Sequence, residues 1–350
     1  MTDPEKNRIK LLDCTLRDGG FCLEDIAKNE KTWDMFSAKD IKAVSALLKG
    51  SGIDIVEIGT VEMSKEDKRG FAIYQDIAAI SEMMPEKQFP EQLYAVMYRG
   101  PDIPIEDIPD WNLRLCEVNR VILRYSELQK SLDFCAALSK KGYKVFVQPM
   151  VTMRYTADEI QHIICAANEM GAYALYFVDS YGYMQADDVR HLFEVYNAGL
   201  DPSIRIGFHA HNNMNLAYSN VLTFLSQQTD RNIIVDSCLL GMGQGAGNLQ
   251  TEIITDHMNK KYGTNYGYEE ILNACEIIEK YWTRNTWGYS LTHLLPAIHE
   301  VAYKYSVDLR YRHGLTPVQI DRIFRNMPED LRHRYTPENT QKLLNAFGYH

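Results

Sequence analysis

The chain has 350 residues, 45% hydrophobic and 24% charged, enough for one large core with an appendage or for two domains. A net charge of −10 and a pI near 5.5 argue against nucleic acid or an anionic membrane surface as the main partner. Seven scattered cysteines without a CxxC pair argue against a disulfide framework or a cysteine zinc site and suit a reducing cytoplasm.

The opening MTDPEKNR is polar, so no signal peptide is expected there, and no apolar run approaches the ~20 residues that span a bilayer. RIKLLDCTLRDGG (8–20) then reads as an apolar strand running into a charged turn. Ile9, Leu11 and Leu12 form the strand, and Arg17 and Asp18 arrive where Gly19 and Gly20 let the backbone turn sharply. A helix is predicted over 39–51, with Ser37 and Asp40 as a capping pair. IDIVEIGT (53–60) is the second strand, followed by a helix at about 70–85. LYAVMY (93–98) is the third, and the Pro- and Asp-rich 101–110 connects it onward. VNRVILRY (118–125), YKVFVQPMVT (143–152), ALYFVDS (174–180), IRIGFHAH (204–211) and NIIVDSCLLG (232–241) complete eight strands. Helices are predicted after them at 127–141, from Thr156, at 185–199, at about 215–228 and at about 249–263. Glu159 completes a capping box with Thr156.

The strands are almost continuously apolar, as parallel strands buried on both faces should be. Eight strand–helix units over roughly 260 residues predict a TIM (β/α)8 barrel, with an open doubly wound sheet as the alternative. Polar residues recur at the carboxyl ends of several strands, which favours the barrel. Residues 1–265 are expected to form this catalytic domain. Residues 266–350 carry helical patterns at about 268–282, 290–306, 317–326 and 337–347 and are expected to form a small C-terminal all-helical domain. Thr316-Pro317 and Thr336-Pro337 read as N-cap and first-turn proline.

His209-Ala210-His211 closes the seventh strand. Residues two apart in a strand share a face, so both imidazoles can hold one divalent metal. Asp18 is the expected third ligand. In a closed barrel the first and seventh strands are separated only by the eighth, ~10 Å between backbones. Such a donor set suits Mn²⁺, Co²⁺, Fe²⁺, Mg²⁺ or Zn²⁺. After the eighth strand, GMGQGAGN (241–248) has glycines at alternate positions, which permit close backbone approach to a ligand; Asn248 could also be only a helix cap.

DCTLRDGG (13–20), GFHAHNN (207–213) and VDSCLLGMGQGAGN (235–248) together resemble the metal-dependent TIM-barrel lyase and synthase superfamily. That group includes hydroxymethylglutaryl-CoA lyase, isopropylmalate synthase and 4-hydroxy-2-oxovalerate aldolase. GAGN and VDSYG (178–182) look most like the aldolase branch. The resemblance implies Asp18, His209 and His211 as metal ligands, with Asn248 as a further candidate. It implies Arg17 as the group that binds the keto acid and stabilises its enolate, Ser180 near the substrate carboxylate, and Gly243 and Gly245 against the substrate. A tyrosine from the C-terminal helices completes such sites; Tyr289 is the expected one, with Ser290 as the alternative at that position. Mn²⁺ heads the metals implied.

One position departs from the pattern. The aldolases carry an acid/base histidine three residues after the metal-binding aspartate, and the other branches a glutamine; here it is Phe21. Phenylalanine cannot move a proton, so Tyr289, His293 or a metal-bound water is expected to do so. The expected activity is a class II aldolase, cleaving a 4-hydroxy-2-oxo acid to pyruvate, or a related 2-keto acid, and an aldehyde. A Claisen-type acyl-CoA synthase and a catalytically altered binding subunit are the alternatives. A Schiff-base aldolase is disfavoured because Lys144 lies at the start of its strand. A cytoplasmic homodimer, with an aldehyde dehydrogenase as a possible partner, is implied by the same resemblance. Glu57, Thr60, Arg124 and Tyr125 are strand-end candidates that structural ion pairs would equally explain, and Gln148 reads as a core hydrogen-bonding residue. The arginines at 310, 312, 322, 325, 332 and 334 read as a solvated face, or else as a lid over an anionic substrate or an oligomer interface.

Overall fold

The computed structural model describes residues 8–30, 35–63, 66–282 and 287–349. Eight parallel strands close on themselves. They are β1 (Ile9–Asp13), β2 (Ile55–Val61), β3 (Leu93–Tyr98), β4 (Val118–Leu123), β5 (Lys144–Pro149), β6 (Ala174–Asp179), β7 (Arg205–Ala210) and β8 (Ile233–Ser237). Each pairs with its neighbour in sequence, and β1 pairs with both β8 and β2, which shuts the barrel. A two-residue strand, Ile73–Tyr74, adds to β2. The closed barrel was therefore legible in the strand spacing, and the open-sheet alternative falls.

Alternation sorts the side chains into layers. Leu12, Ile55, Leu93, Val118, Phe146, Ala174, Tyr176 and Ile234 fill the barrel interior. Residues of the opposite parity, such as Leu11, Val121, Val147, Leu175, Phe208 and Val235, pack under the surrounding helices. The helix Tyr268–Glu279 joins this outer layer through Ile271, Ala274, Cys275 and Ile278. Beyond it, Val301, Tyr305, Leu309, Ile320, Ile323, Phe324 and Leu343 form a separate core among the last helices. Both Thr-Pro starts fold as expected: Thr316 and Thr336 cap the helices Pro317–Arg325 and Pro337–Phe347. The capping box at Thr156 and Glu159 is also formed.

Three expectations are corrected. The charged turn after β1 is a helix, Thr15–Glu30, and Gly19 and Gly20 lie inside it. Asp13 starts that helix by accepting from the Thr15 amide (2.9 Å). The glycines are needed for contact rather than for a turn. A Cβ on Gly20 would sit 2.0 Å from the Phe71 carbonyl oxygen, and one on Gly19 2.5 Å from the Met242 sulfur. The helix expected at about 70–85 is reduced to Ile77–Ser81, because the chain first pairs Ile73 and Tyr74 with β2 and Asp76 caps a fresh start. The helix expected over 290–306 breaks into Leu291–Ile298 and Tyr303–Val307, with Pro296 in the first piece and Glu300 at φ +54° between them.

Because Phe71 presents backbone at Gly20, Gly20→Ala should cost about 1–3 kcal/mol in urea unfolding. Gly50→Ala is the control, since the nearest atom to its Cβ would be 3.7 Å away in a helix; it should be neutral or stabilising by up to about 1 kcal/mol.

Candidate metal centre

Ligand atoms from Asp18, His209 and His211 lie within 4.8 Å of one another at the carboxyl end of the barrel. His209 and His211 come from β7 and its continuation, two apart and so on one side, with ring centroids 4.9 Å apart. Asp18 comes from the first turn of the helix Thr15–Glu30. Asp18 and His209 are buried and His211 nearly so.

Each imidazole is fixed through its Nδ1. His209 Nδ1 is 2.9 Å from Asp236, and His211 Nδ1 is 2.9 Å from the Asp179 carbonyl oxygen. Both Nε2 atoms are left for a ligand, and that of His211 lies 3.9 Å from Asp18. Tethering the far nitrogen to a carboxylate or carbonyl is the arrangement that orients metal-binding histidines. Behind the ligands runs a chain of buried charges. Asp18 accepts from Arg17 Nη1 (2.5 Å), and Glu57 accepts from Arg17 Nε (3.0 Å) and Arg120 Nη1 (2.6 Å). Arg120 Nη2 donates to Asp236, which also accepts from the Tyr176 hydroxyl (3.0 Å). With its amide in the hydrogen-bonding orientation, Gln148 accepts from Arg120 as well.

The donor set fits a divalent cation. Burial acts to raise the Asp18 pKa, but Arg17, His211 and His209 outweigh it and hold the carboxyl below its usual range. Burial and the neighbouring His209 pull His211 down to about 4, which keeps it neutral. Burial acts against the charged form of His209 too, but the bond to Asp236 and the Cys14 thiol carry it up to about 9. Asn248 donates from Nδ2 to Asp18, Cys238 and the Met242 carbonyl, and its buried Oδ1 has no partner. An orphaned acceptor beside a carboxylate and two free imidazole nitrogens is what a cation would satisfy. Cys14 also lies close to His209 and Asp236. There, however, the imidazole and the carboxylate are bonded to each other and Asp236 to Arg120, so that trio supports the site rather than forming a second one.

The ligands open into a cavity of about 390 Å³. Arg17, Ser180 and Phe21 line it. Arg17 Nη2 has no partner among the described residues; Ser180 Oγ accepts from the Val151 amide (2.7 Å) and keeps its own proton free. Gly243 and Gly245 are not among the lining residues and pack against Asn248, Asp18 and Asn213. A Cβ on Gly243 would strike Asn248 Nδ2 at 2.2 Å and Asp18 at 2.6 Å, and one on Gly245 would strike Asn213. Asn248 is not a helix cap, since Gln250 holds that place.

Tyr289 does not line the cavity and is 57% exposed, because the chain bends at Gly288 (φ +112°) and the next helix starts at Ser290. Ser290 caps that helix, and His293 bonds to the Gly288 carbonyl oxygen outside the lining. From the C-terminal segments Tyr303 and Tyr335 reach the cavity, beside Tyr181 of the barrel, and the Tyr303 hydroxyl donates to Asp25 (2.5 Å). Asp25 also accepts from Gln244 (2.5 Å) and Lys304 (2.8 Å), joining the first helix, the glycine loop and the C-terminal helices. Arg124 is tied to Asp102 and Glu127, and neither it, Tyr125 nor Thr60 lines the cavity. Sequence reasoning missed Arg120 and Asp236. Their signal was parity: each is a charge at an inward position of an otherwise apolar strand.

Residues 121–278 match the HMGL-like family model, so the resemblance carried by the motifs holds over that span. The chain is 26% identical over 286 residues to 4-hydroxy-2-oxovalerate aldolase of Thermomicrobium roseum, covering 77% of this chain and 72% of that one. Its fold is similar to the N-terminal domain of a provisionally named aldolase from Bacteroides vulgatus (TM-score 0.70, 23% identity, 86% of this chain and 97% of that one). It is also similar to HMG-CoA lyase of Bacillus subtilis (TM-score 0.59, 18% identity, 79% and 96%).

Two outcomes follow from the geometry. Metal uptake must displace a proton from His209 below pH about 9. Apparent Mn²⁺ affinity should therefore rise about tenfold per pH unit between roughly pH 6 and 8.5 and then level, and Asp236→Asn should weaken binding about 10–100-fold, both by titration calorimetry. Arg120→Met strands Glu57 and Asp236 as buried charges and should cost about 3–5 kcal/mol in urea unfolding.

Proposed function

We propose that this HMGL-like chain is a divalent-metal carbon–carbon lyase of the class II aldolase type, interconverting a 4-hydroxy-2-oxo acid with pyruvate, or a related 2-keto acid, and an aldehyde. The observation that carries the reading is the convergence of Asp18, His209, His211 and Arg17 on one buried end of the barrel. The name of the Thermomicrobium roseum relative supports the substrate class.

Asp18, His209 and His211, with Asn248 as a further donor, would hold the ion, for which we expect Mn²⁺. A bound ion would supply Lewis acidity toward the oxygens of the keto acid. Arg17 is clamped by Asp18 and Glu57, so its free Nη2 is preorganised for the negative charge that develops on the C2 oxygen. Ser180 has a hydroxyl proton to offer the substrate carboxylate.

In the cleavage direction the C3–C4 bond breaks and its electron pair becomes the enolate, while the C4 hydroxyl loses its proton. Tyr303 is the chain's own group for that proton. Burial and Asp25 raise its pKa well above the usual phenol value, so it acts protonated. It takes the substrate proton as it passes its own to Asp25. The proton left on Asp25 then returns through Tyr303 to the enolate carbon, which gives the keto acid and restores both groups. This assigns to Tyr303 the role left open at Phe21. A cytoplasmic homodimer, with an aldehyde dehydrogenase as partner, belongs to the same proposal; among the described residues no helix is long and apolar enough to cross a membrane.

With Mn²⁺ or Co²⁺ in D₂O, the protein should exchange the methyl protons of pyruvate, followed by NMR. No exchange into pyruvate alone would point to a related 2-keto acid; no exchange into any of several 2-keto acids by metal-loaded protein would favour a binding subunit and sink this reading. Tyr303→Phe should lower kcat for aldol cleavage by about 10²–10⁴, with Mn²⁺ affinity unchanged. Equal kcat in that variant would remove Tyr303 from the reaction.

A further inference from the structure

We propose that the aldehyde partner of the reaction carries a terminal anionic group, a phosphate or a carboxylate, and that Arg334 binds it at the part of the cavity wall supplied by the C-terminal segments. This rests on the lyase reading above and extends it to the part of the substrate that does not react.

Charged and polar lining comes from two parts of the chain. One is the ligand corner with Arg17. The other is the C-terminal segments, through Tyr303, Lys304, His333 and Arg334. Phe21, Met97, Ile122 and Val151 add apolar wall. At about 390 Å³ the space falls in the range of roughly 300–1,000 Å³ that takes drug-sized ligands, far more than pyruvate and a two-carbon aldehyde fill.

The charges that the C-terminal segments bring to the cavity do not cancel. Asp18 is the one carboxylate lining the cavity among the described residues, and it is committed to Arg17. Lys304 is neutralised by Asp25 at 2.8 Å. The Arg334 guanidinium has no hydrogen bond or ion pair among the described residues, although it lines the cavity. Four of its five companions are accounted for. Arg312 pairs with Asp308 (3.3 Å), Arg325 with Asp321 (2.8 Å) and Arg332 with Glu329 (3.2 Å), while Arg310 donates to the Leu315 carbonyl (2.9 Å). Arg322 is exposed and outside the cavity.

The backbone around Arg334 is held in place. The Tyr305 hydroxyl donates to its carbonyl oxygen (2.7 Å), as does Asn339 (3.1 Å). Its neighbour His333 stacks on Tyr181 with planes 2° apart and bonds to that hydroxyl at 3.0 Å. Arg154 adds positive potential beside His333 and Tyr181 while lying over the Tyr125 ring at 4.0 Å. Glu329 is the acid nearest His333, at 3.4 Å, and Glu300 faces Tyr181. Arg334 is exposed, and its unpaired guanidinium, carried on a held backbone at the cavity wall of a chain of net charge −10, is a fork for a phosphate or carboxylate.

The test uses full-length protein loaded with Mn²⁺, with pyruvate and four aldehydes: glyceraldehyde 3-phosphate, glyceraldehyde, succinic semialdehyde and butyraldehyde. Aldol addition to each anionic aldehyde should exceed its uncharged counterpart by about tenfold or more in kcat/KM, mainly through KM, and rising salt should erode the difference. The phosphate and carboxylate arms identify which group is read. Arg334→Gln should cut the charged-to-uncharged ratio by about tenfold, and Arg334→Lys should restore part of it. If pyruvate exchanges its methyl protons but uncharged aldehydes serve equally well, or Arg334→Gln leaves the ratio unchanged, the inference is overturned while the lyase reading stands. If no exchange occurs into any of several 2-keto acids, both fall.

Discussion

The site depends on a run of alternating charges buried across the inside of the barrel: Asp18, Arg17, Glu57, Arg120, Asp236 and His209. It begins and ends at the ligand corner, so each of its ends is a side chain that would hold the ion. None of these charges could be buried alone without a large desolvation cost, and together they are paired and hydrogen-bonded. Removing any of the four inner members leaves two neighbours each short of a partner. The chain of contacts thus converts barrel packing into the position of a carboxylate oxygen and an imidazole nitrogen.

The same run explains the local sequence of several strands. Arg120 sits between Val118 and Ile122, and Asp236 between Ile234 and Cys238, all on the inward side. Gly207 belongs to the same layer, since a Cβ there would lie 2.3 Å from the ring of Tyr176, which in turn bonds to Asp236. A larger residue would push Tyr176 off Asp236 and loosen His209.

Much of this was legible in the sequence, because strand parity and element spacing are local properties. The barrel, its eight strands, the His-X-His pair and the Thr-Pro caps follow from periods and capping chemistry. Other features required knowledge of which distant segments touch. Gly19-Gly20 carries the composition of a turn, but its cause is the Phe71 carbonyl and the Met242 sulfur, far along the chain. Tyr289 and Tyr303 both lie in the helical tail. Only the break after Ile298 and the reach of Asp25 decide that the second one enters the cavity. Arg120 was readable by parity, yet the half-buried strand-end Arg124 was the more visible arginine, and it proves to be a structural ion pair.

Phe21 is best understood with the helix that carries it. Arg17, Phe21 and Asp25 recur every four residues and so share one stripe of that helix. Arg17 serves the ligand corner. Phe21 is buried as an apolar wall, with the Arg99 guanidinium 4.0 Å over its ring, and Glu24 and Glu62 hold that arginine in place. Asp25 grips Tyr303, Lys304 and Gln244. A polar residue at position 21 would have to face Arg99 without an apolar ring to stack on. In the reaction proposed above, proton handling would shift one turn along the same stripe, from position 21 to Asp25, with Tyr303 linking it to the cavity. The C-terminal helices therefore dock on Asp25 through Tyr303 and Lys304 and supply part of the cavity lining.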